Sequence, residues 1–195
     1  MNIVLNFQFN IDNIGIMFSV LSIIVFATAG IFSFEYMKHE GHHLRYSLFF
    51  ILAFLVFQGL CFAGNMITYY FFFEMLTLST FPLVLHNGSK EATMAGLKYL
   101  FYSLCGAYMV LFGLYFSASS LRFTDGGYMS TYLEAASSAP SNKGLYLLCV
   151  TLMIFGFGVK AGMFPMHAWL PTAHPVAPAP ASAVLSAIVA SFEPL

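Results

Sequence analysis

Charge is scarce in this sequence: Lys, Arg, Asp and Glu together make up 8% of its 195 residues. A soluble domain carries about 25%, so there are too few charges here to cover a water-facing surface. The net charge of −1 gathers into no basic patch, and no nucleic-acid partner is expected. Cysteine is sparse too. Cys61, Cys105 and Cys149 stand far apart in apolar runs, with no CxxC or metal-ligand spacing, and read as small packing residues. The opening "MNIVLNFQFNIDN" has no basic n-region, so no cleavable signal peptide is expected. Rossmann and Walker signatures are absent as well. The chain is therefore expected to hold no cofactor, no metal, no catalytic residue and no redox centre of its own.

Apolar side chains are abundant. They make up 59% of the sequence, with 23 Phe and 11 Tyr, and the mean hydropathy is +0.81. This is the composition of an integral membrane protein. Spanning the hydrocarbon takes roughly 20 apolar residues as a helix, and open sheets do not survive in lipid. Segments at 14–36, 46–63, 66–85, 92–119 and 144–164 qualify, and a sixth begins at 180–192 after a Pro-rich break. Gly64, Gly88, Gly126, Gly127, Pro140, Pro165 and Pro171 punctuate the junctions. The expected fold is an all-α polytopic transmembrane bundle of about six helices, one of them interrupted by proline. The aromatics read as lipid-facing and interfacial residues, with Tyr36 and Trp169 at belt positions.

The short loops set an orientation. Loop 38–45 carries Lys38 and Arg45, and loop 86–91 carries Lys90, while the intervening "AGN" turn has no Lys or Arg. Helix counting puts the two basic loops on one side, which the positive-inside rule makes cytoplasmic, with the N-terminus outside. The polar loop 120–143 then lies outside; its Arg122 and Lys143 are matched by Asp125 and Glu134. His39, His42 and His43 in "KHEGHHLR" have no further ligands in view and read as a solvated cytoplasmic loop.

Three ionisable residues fall inside spanning segments: Glu74, Lys98 and Lys160. A charge at the bilayer centre costs roughly 2.5–3.5 kcal/mol on insertion scales. Glu74, in "YFFFEMLTLSTFPL", lies roughly 12 Å from one end of its segment and about 16 Å from the other, too deep for a glutamate stem to snorkel. It reads either as a neutral acid bonded to a neighbouring helix, or as a carboxylate in a polar path that pairs with a lysine and loads and releases a proton. Lys98 begins about 9 Å into its helix and either snorkels or lines that path. Lys160 is about 6 Å from its segment's end, but Gly156, Gly158 and Gly162 flank it, and Pro165, Pro171, Pro175, Pro178 and Pro180 follow. Interrupted backbone at membrane depth is tolerated where protein covers it or water reaches it, and discontinuous helices recur at transporter ion sites. A broken helix here would carry Lys160 inward.

The stretches "FFFEMLTLSTFPLVLH" and "GVKAGMFPMHAWLPTAHPVAPAPASAVLS" resemble signatures of the antiporter-like, proton-conducting membrane subunits. That family occurs in respiratory complex I, membrane-bound hydrogenases and Mrp-type cation/proton antiporters, and the form of "EMLTLSTFPLVLH" and "AGLKYL" is most similar to the D-type subunits of Mrp antiporters. The resemblance implies inverted repeats of about five helices and a proton path in which a glutamate pairs with a lysine on a broken helix. Those roles fall on Glu74 and Lys160. Lys98 matches less sharply, and His167, in "FPMHAWLP", reads as a helix-end hydrogen-bonding residue before it reads as a proton relay.

The resemblance covers one leading helix plus one repeat, so residues 1–195 are expected to form a single transmembrane domain with the second repeat absent. Many members carry a lysine or histidine in the helix after the Pro-rich loop; here Ser186 and Ser191 stand in its place, and "ASFEPL" departs from the pattern. The expected function is a proton-translocating subunit of an Mrp-type antiporter or complex I-like assembly in the plasma or inner membrane. Its partners would be other membrane subunits, the lipid bilayer, protons and a cation such as Na⁺ or K⁺. The alternative is a non-conducting structural subunit or fragment whose buried charges only hold helices together.

Overall fold

The computed structural model describes residues 7–38, 43–120, 143–164 and 166–192. His39, His42, Pro165 and the loop carrying Arg122, Asp125, Gly126, Gly127, Glu134 and Pro140 lie outside the described residues. The helices are α1 (Asn13–Tyr36), α2 (His43–Cys61), α3 (Met66–Val84), α4 (Lys90–Ser120) and α5 (Lys143–Ala161). A short 3-10 turn (Met166–Trp169), α6 (Leu170–Ala173) and α7 (Ala179–Phe192) follow. Each expected segment appears within a few residues of its sequence boundaries. Five spans are long and apolar enough to cross a membrane, the fifth running Lys143–Ala173 through the broken end of α5. The protein is an all-α, multi-span membrane protein.

The helices bury small and polar residues beside an apolar core, and they expose large apolar side chains. On α1 the buried residues are Gly15, Ser19, Ser22, Phe26, Ala29 and Ser33, alternating three and four apart along one face. The large side chains Ile16, Val20, Ile24, Ile31 and Phe34 are exposed, as suits a lipid-facing surface. Small residues let the neighbouring helix approach: a Cβ on Gly15 would collide with the Cys61 carbonyl of α2. Gln58 of α2 satisfies the serines, its Oε1 accepting from Ser19 Oγ at 2.6 Å and its Nε2 donating to Ser22 Oγ at 2.9 Å. Between α4 and α5, Gly106 faces the Gly156 carbonyl and Cys149 is fully buried.

Three of the helix starts, those of α1, α3 and α4, are specified by local side-chain caps. The side chains of Asp12 and Asn65 accept from Gly15 N and Thr68 N at 2.8 and 2.7 Å, and Ser89 Oγ accepts from Ala92 N at 3.0 Å. Gly88 supplies the left-handed residue (φ 62°) that turns the chain from α3 into α4. The last helix, α7, packs against α1, α3 and α5. Ala181 and Val184 on α7 join a core of Phe26, Phe50, Phe57, Phe73 and Leu76.

Candidate functional site

The backbone after Lys160 determines where this lysine can point. α5 stops at Ala161, and Gly162 adopts φ 71°. Met163 N bonds back to the Gly158 carbonyl at 2.9 Å and Gly162 N to the Val159 carbonyl at 3.2 Å, the paired bonds of a Schellman cap. The helix is thus finished, one residue after Lys160, by a glycine stop. Trp169 folds back from the 3-10 turn and donates from Nε1 to the same Val159 carbonyl at 2.8 Å. Trp169 is 1% exposed, which corrects its expected belt position: its N–H finds a carbonyl inside the protein at the helix end and needs no interface water.

Capped in this way, α5 turns Lys160 toward α3. The lysine is buried, at 5% exposure. Its Nζ donates to the Phe73 carbonyl, lies 3.5 Å from the centroid of the Phe73 ring, and is 4.0 Å from Glu74 Oε1. Glu74 is half-buried, and that Oε1 makes no hydrogen bond among the described residues. The two groups form an ion pair held just beyond hydrogen-bonding contact. At an effective dielectric near 20, unit charges about 4 Å apart attract by about 4 kcal/mol. That is of the order of the several kcal/mol lost in desolvating each ion. With two ions to desolvate, the attraction alone does not offset burial, so small changes in separation or hydration can tip the pair toward its charged or its neutral form.

Beyond the pair, α3 presents further polar residues, with Thr77 and Thr80 fully buried. Thr80 Oγ1 lies 2.8 Å from the Tyr99 hydroxyl of α4, and the Tyr99 and Trp169 rings are 5.0 Å apart. His174 meets Ser182 of α7 at 2.7 Å, joining the two sides of the Pro-rich break. Of these residues only Trp169 stood out from the sequence, although the spacing of Glu74, Thr77 and Thr80 along an otherwise apolar helix is a signal that periodicity could have flagged. Lys98 lies elsewhere: it is half-buried in a cavity of about 660 Å³ with Glu91, Met94, Phe101, Pro171, Thr172 and Pro175. His167 is exposed and stacks on Phe164 with ring centroids 5.7 Å apart. His43 is exposed on the first turn of α2.

Both the sequence and the fold have known counterparts. Residues 63–192 match the family described as NADH:quinone oxidoreductase/Mrp antiporter, TM, and residues 1–50 match the NADH-ubiquinone oxidoreductase (complex I) chain 5 N-terminus. Hydrogenase-4 component B of Escherichia coli is 33% identical, covering 87% of this chain and 24% of its own. The D subunit of a probable K(+)/H(+) antiporter of Rhizobium meliloti is 31% identical over 76% of this chain and 27% of its own. A chain of the archaeal membrane-bound sulfane sulfur reductase superposes with a TM-score of 0.75 at 26% identity, over 90% of this chain and 37% of its own. The two curated relatives stand at nearly equal identity, so the likeness is to the family's hydrogenase and antiporter branches alike. The chain spans about a quarter of those two relatives' length. It belongs to the NADH:quinone oxidoreductase/Mrp antiporter transmembrane family.

Proposed function

We propose that this chain is a proton-translocating membrane subunit of a multisubunit cation/proton antiporter or complex I-like assembly, in which Glu74 and Lys160 exchange a proton through a buried polar path. The observation that carries the reading is the 4.0 Å approach of Lys160 Nζ to Glu74 Oε1, made at a capped helix end inside the bundle. When the carboxylate is charged, it holds the ammonium. When it takes up a proton, the attraction vanishes and Lys160 is released to pass its own proton on. The family relationship supports partner subunits in the same membrane. Lys98, in its groove, and His167, on the 3-10 turn, enter the same reading at the path's margin. The membrane is the plasma or inner membrane, with the N-terminus outside.

The competing reading is structural: the pair only joins α3 to α5. Glu74→Gln in the assembled complex separates the two. Loss of ΔpH formation in vesicles, with insertion and assembly intact, is the expected result. Wild-type ΔpH would leave the pair a structural contact.

A further inference from the structure

Four buried hydroxyls stand on α3 and α4 beyond Glu74, and the ion pair uses none of them. Thr77 and Thr80 come from α3, Tyr99 and Ser103 from α4, and each is 3% exposed or less. Thr80 Oγ1 can donate to the Leu76 carbonyl at 2.8 Å or the Thr77 carbonyl at 3.2 Å, and lies 2.8 Å from the Tyr99 hydroxyl. It has one proton for three neighbours, so one arrangement has Tyr99 donating to Thr80 and the other has Thr80 donating to Tyr99. The link can therefore run in either direction. The Tyr99 hydroxyl also feels the hydroxyls of Ser103 and Thr77 and the Glu74 carboxylate. Thr77 Oγ1 and Ser103 Oγ themselves make no hydrogen bond of ordinary geometry among the described residues.

Two fully buried hydroxyls left in this state are unusual in a folded protein. Their placement is informative: Thr77 stands one turn along α3 from Glu74, whose Oε1 is likewise without a hydrogen bond among the described residues, and Ser103 stands one turn along α4 from Tyr99, which has one. Together Glu74, Thr77, Ser103 and Tyr99 offer the two to four polar partners that a buried water takes. The hydroxyls also lead in one direction. Thr80 is about 9 Å along α3 from Glu74, toward the end that carries residues 86–91, and Tyr99 packs on Trp169 of the break.

We propose that Thr77, Ser103, Tyr99 and Thr80, with water between them, form a hydroxyl relay that delivers protons to Glu74 from the membrane face carrying residues 86–91. This rests on the proton-translocating reading above and adds the uptake arm to it. Each hydroxyl accepts a proton on a lone pair and gives up the one it held, so none changes charge once the proton has passed. The proton leaves water at the 86–91 face and ends on the Glu74 carboxylate. Tyr99 is the switch point because it bonds to Thr80 and stands one turn along α4 from Ser103.

The test uses the assembled complex in vesicles, with Tyr99→Phe, Ser103→Ala and the double variant Thr77→Val/Ser103→Ala beside Glu74→Gln. The readouts are the rate of ΔpH formation, its solvent deuterium isotope effect, and the rate at which the Glu74 carboxyl infrared band appears after a pH jump. Tyr99→Phe keeps the ring against Trp169 and removes only the hydroxyl. It is expected to slow the band's appearance at least about tenfold without altering the band's final amplitude, and Ser103→Ala is expected to slow it by less. A merely structural role would leave that rate and the isotope effect alone. Wild-type band kinetics in both Tyr99→Phe and the double variant overturn the relay. If Glu74→Gln abolishes ΔpH while those kinetics stay normal, only the relay falls; if Glu74→Gln pumps normally, the underlying reading falls with it. Should Tyr99→Phe fail to assemble, the double variant decides alone.

Discussion

Lys160 and Glu74 are each costly in lipid and tolerable together. Removing one partner of a buried pair costs roughly 3–5 kcal/mol because the other is left without compensation. Glu74 is half-buried, so the lower part of that range applies to Lys160→Met. The double variant Glu74→Gln/Lys160→Met leaves no uncompensated charge, and its loss of thermal stability in detergent is expected to be smaller than the sum of the two single losses. Additive losses would mean that the two residues do not interact. Activity should behave differently, with all three variants inactive in ΔpH formation. At this scale the sequence was half legible. Glu74 was marked by depth alone, since no glutamate stem reaches an interface from there, and Lys160 by its glycine neighbours. Tyr99, Thr77 and Ser103 were not, because a hydroxyl in an apolar run is ordinary and only the approach of α4 to α3 makes the set a cluster. Trp169 misled for a related reason: a lone Trp near a span end fits the interface equally well until a helix-end carbonyl inside the protein is found for its N–H.

At the scale of elements, the bends and stops do the positioning. Gly162 closes α5 with φ 71°, and a Cβ there would also run into Leu170. Gly88 has φ 62° but nothing within 4 Å of where a Cβ would stand. Gly88→Ala should therefore cost only the backbone term, about 1–2 kcal/mol. Gly162→Ala should cost clearly more, and because it displaces the cap beside Lys160 it should also lower ΔpH formation. Equal melting temperatures for the two variants would contradict this account. Gly156→Val is a third case: its side chain would meet the Gly106 carbonyl and Val110, forcing α5 away from α4, and loss of assembled complex on a native gel is expected. Helix positions were almost fully legible from runs of about 20 apolar residues bounded by glycine and proline. The manner of the break was not. Prolines announce that a helix cannot continue, but whether it unravels or ends in a cap depends on which carbonyls find donors.

The whole bundle has two distinguishable ends. At one, Arg45 Nη2 donates to the His86 carbonyl at 2.9 Å and Asn87 Nδ2 to the Val176 carbonyl at 3.0 Å, so the start of α2, the end of α3 and the Pro-rich break meet there. At the other, Asn10 N bonds to the Phe62 carbonyl at 3.0 Å and Gly64 N to the Gln8 carbonyl at 2.8 Å, so the segment before α1 closes over the α2–α3 turn. The first end gathers Lys38, Arg45 and Lys90, whereas the 62–65 turn has no basic residue. Each misplaced Lys or Arg opposes insertion, so the first end is expected to be cytoplasmic. That orientation gives the hydroxyl relay its sense: it would open to the cytoplasm, and Glu74 would load from there. The check uses single cysteines in a background with Cys61, Cys105 and Cys149 replaced. His43→Cys, exposed on the basic end, should react with an impermeant maleimide only after the cells are permeabilised, and Ser130→Cys should react in intact cells. The reverse pattern would invert the protein in the membrane and turn the relay from an uptake arm into a release arm.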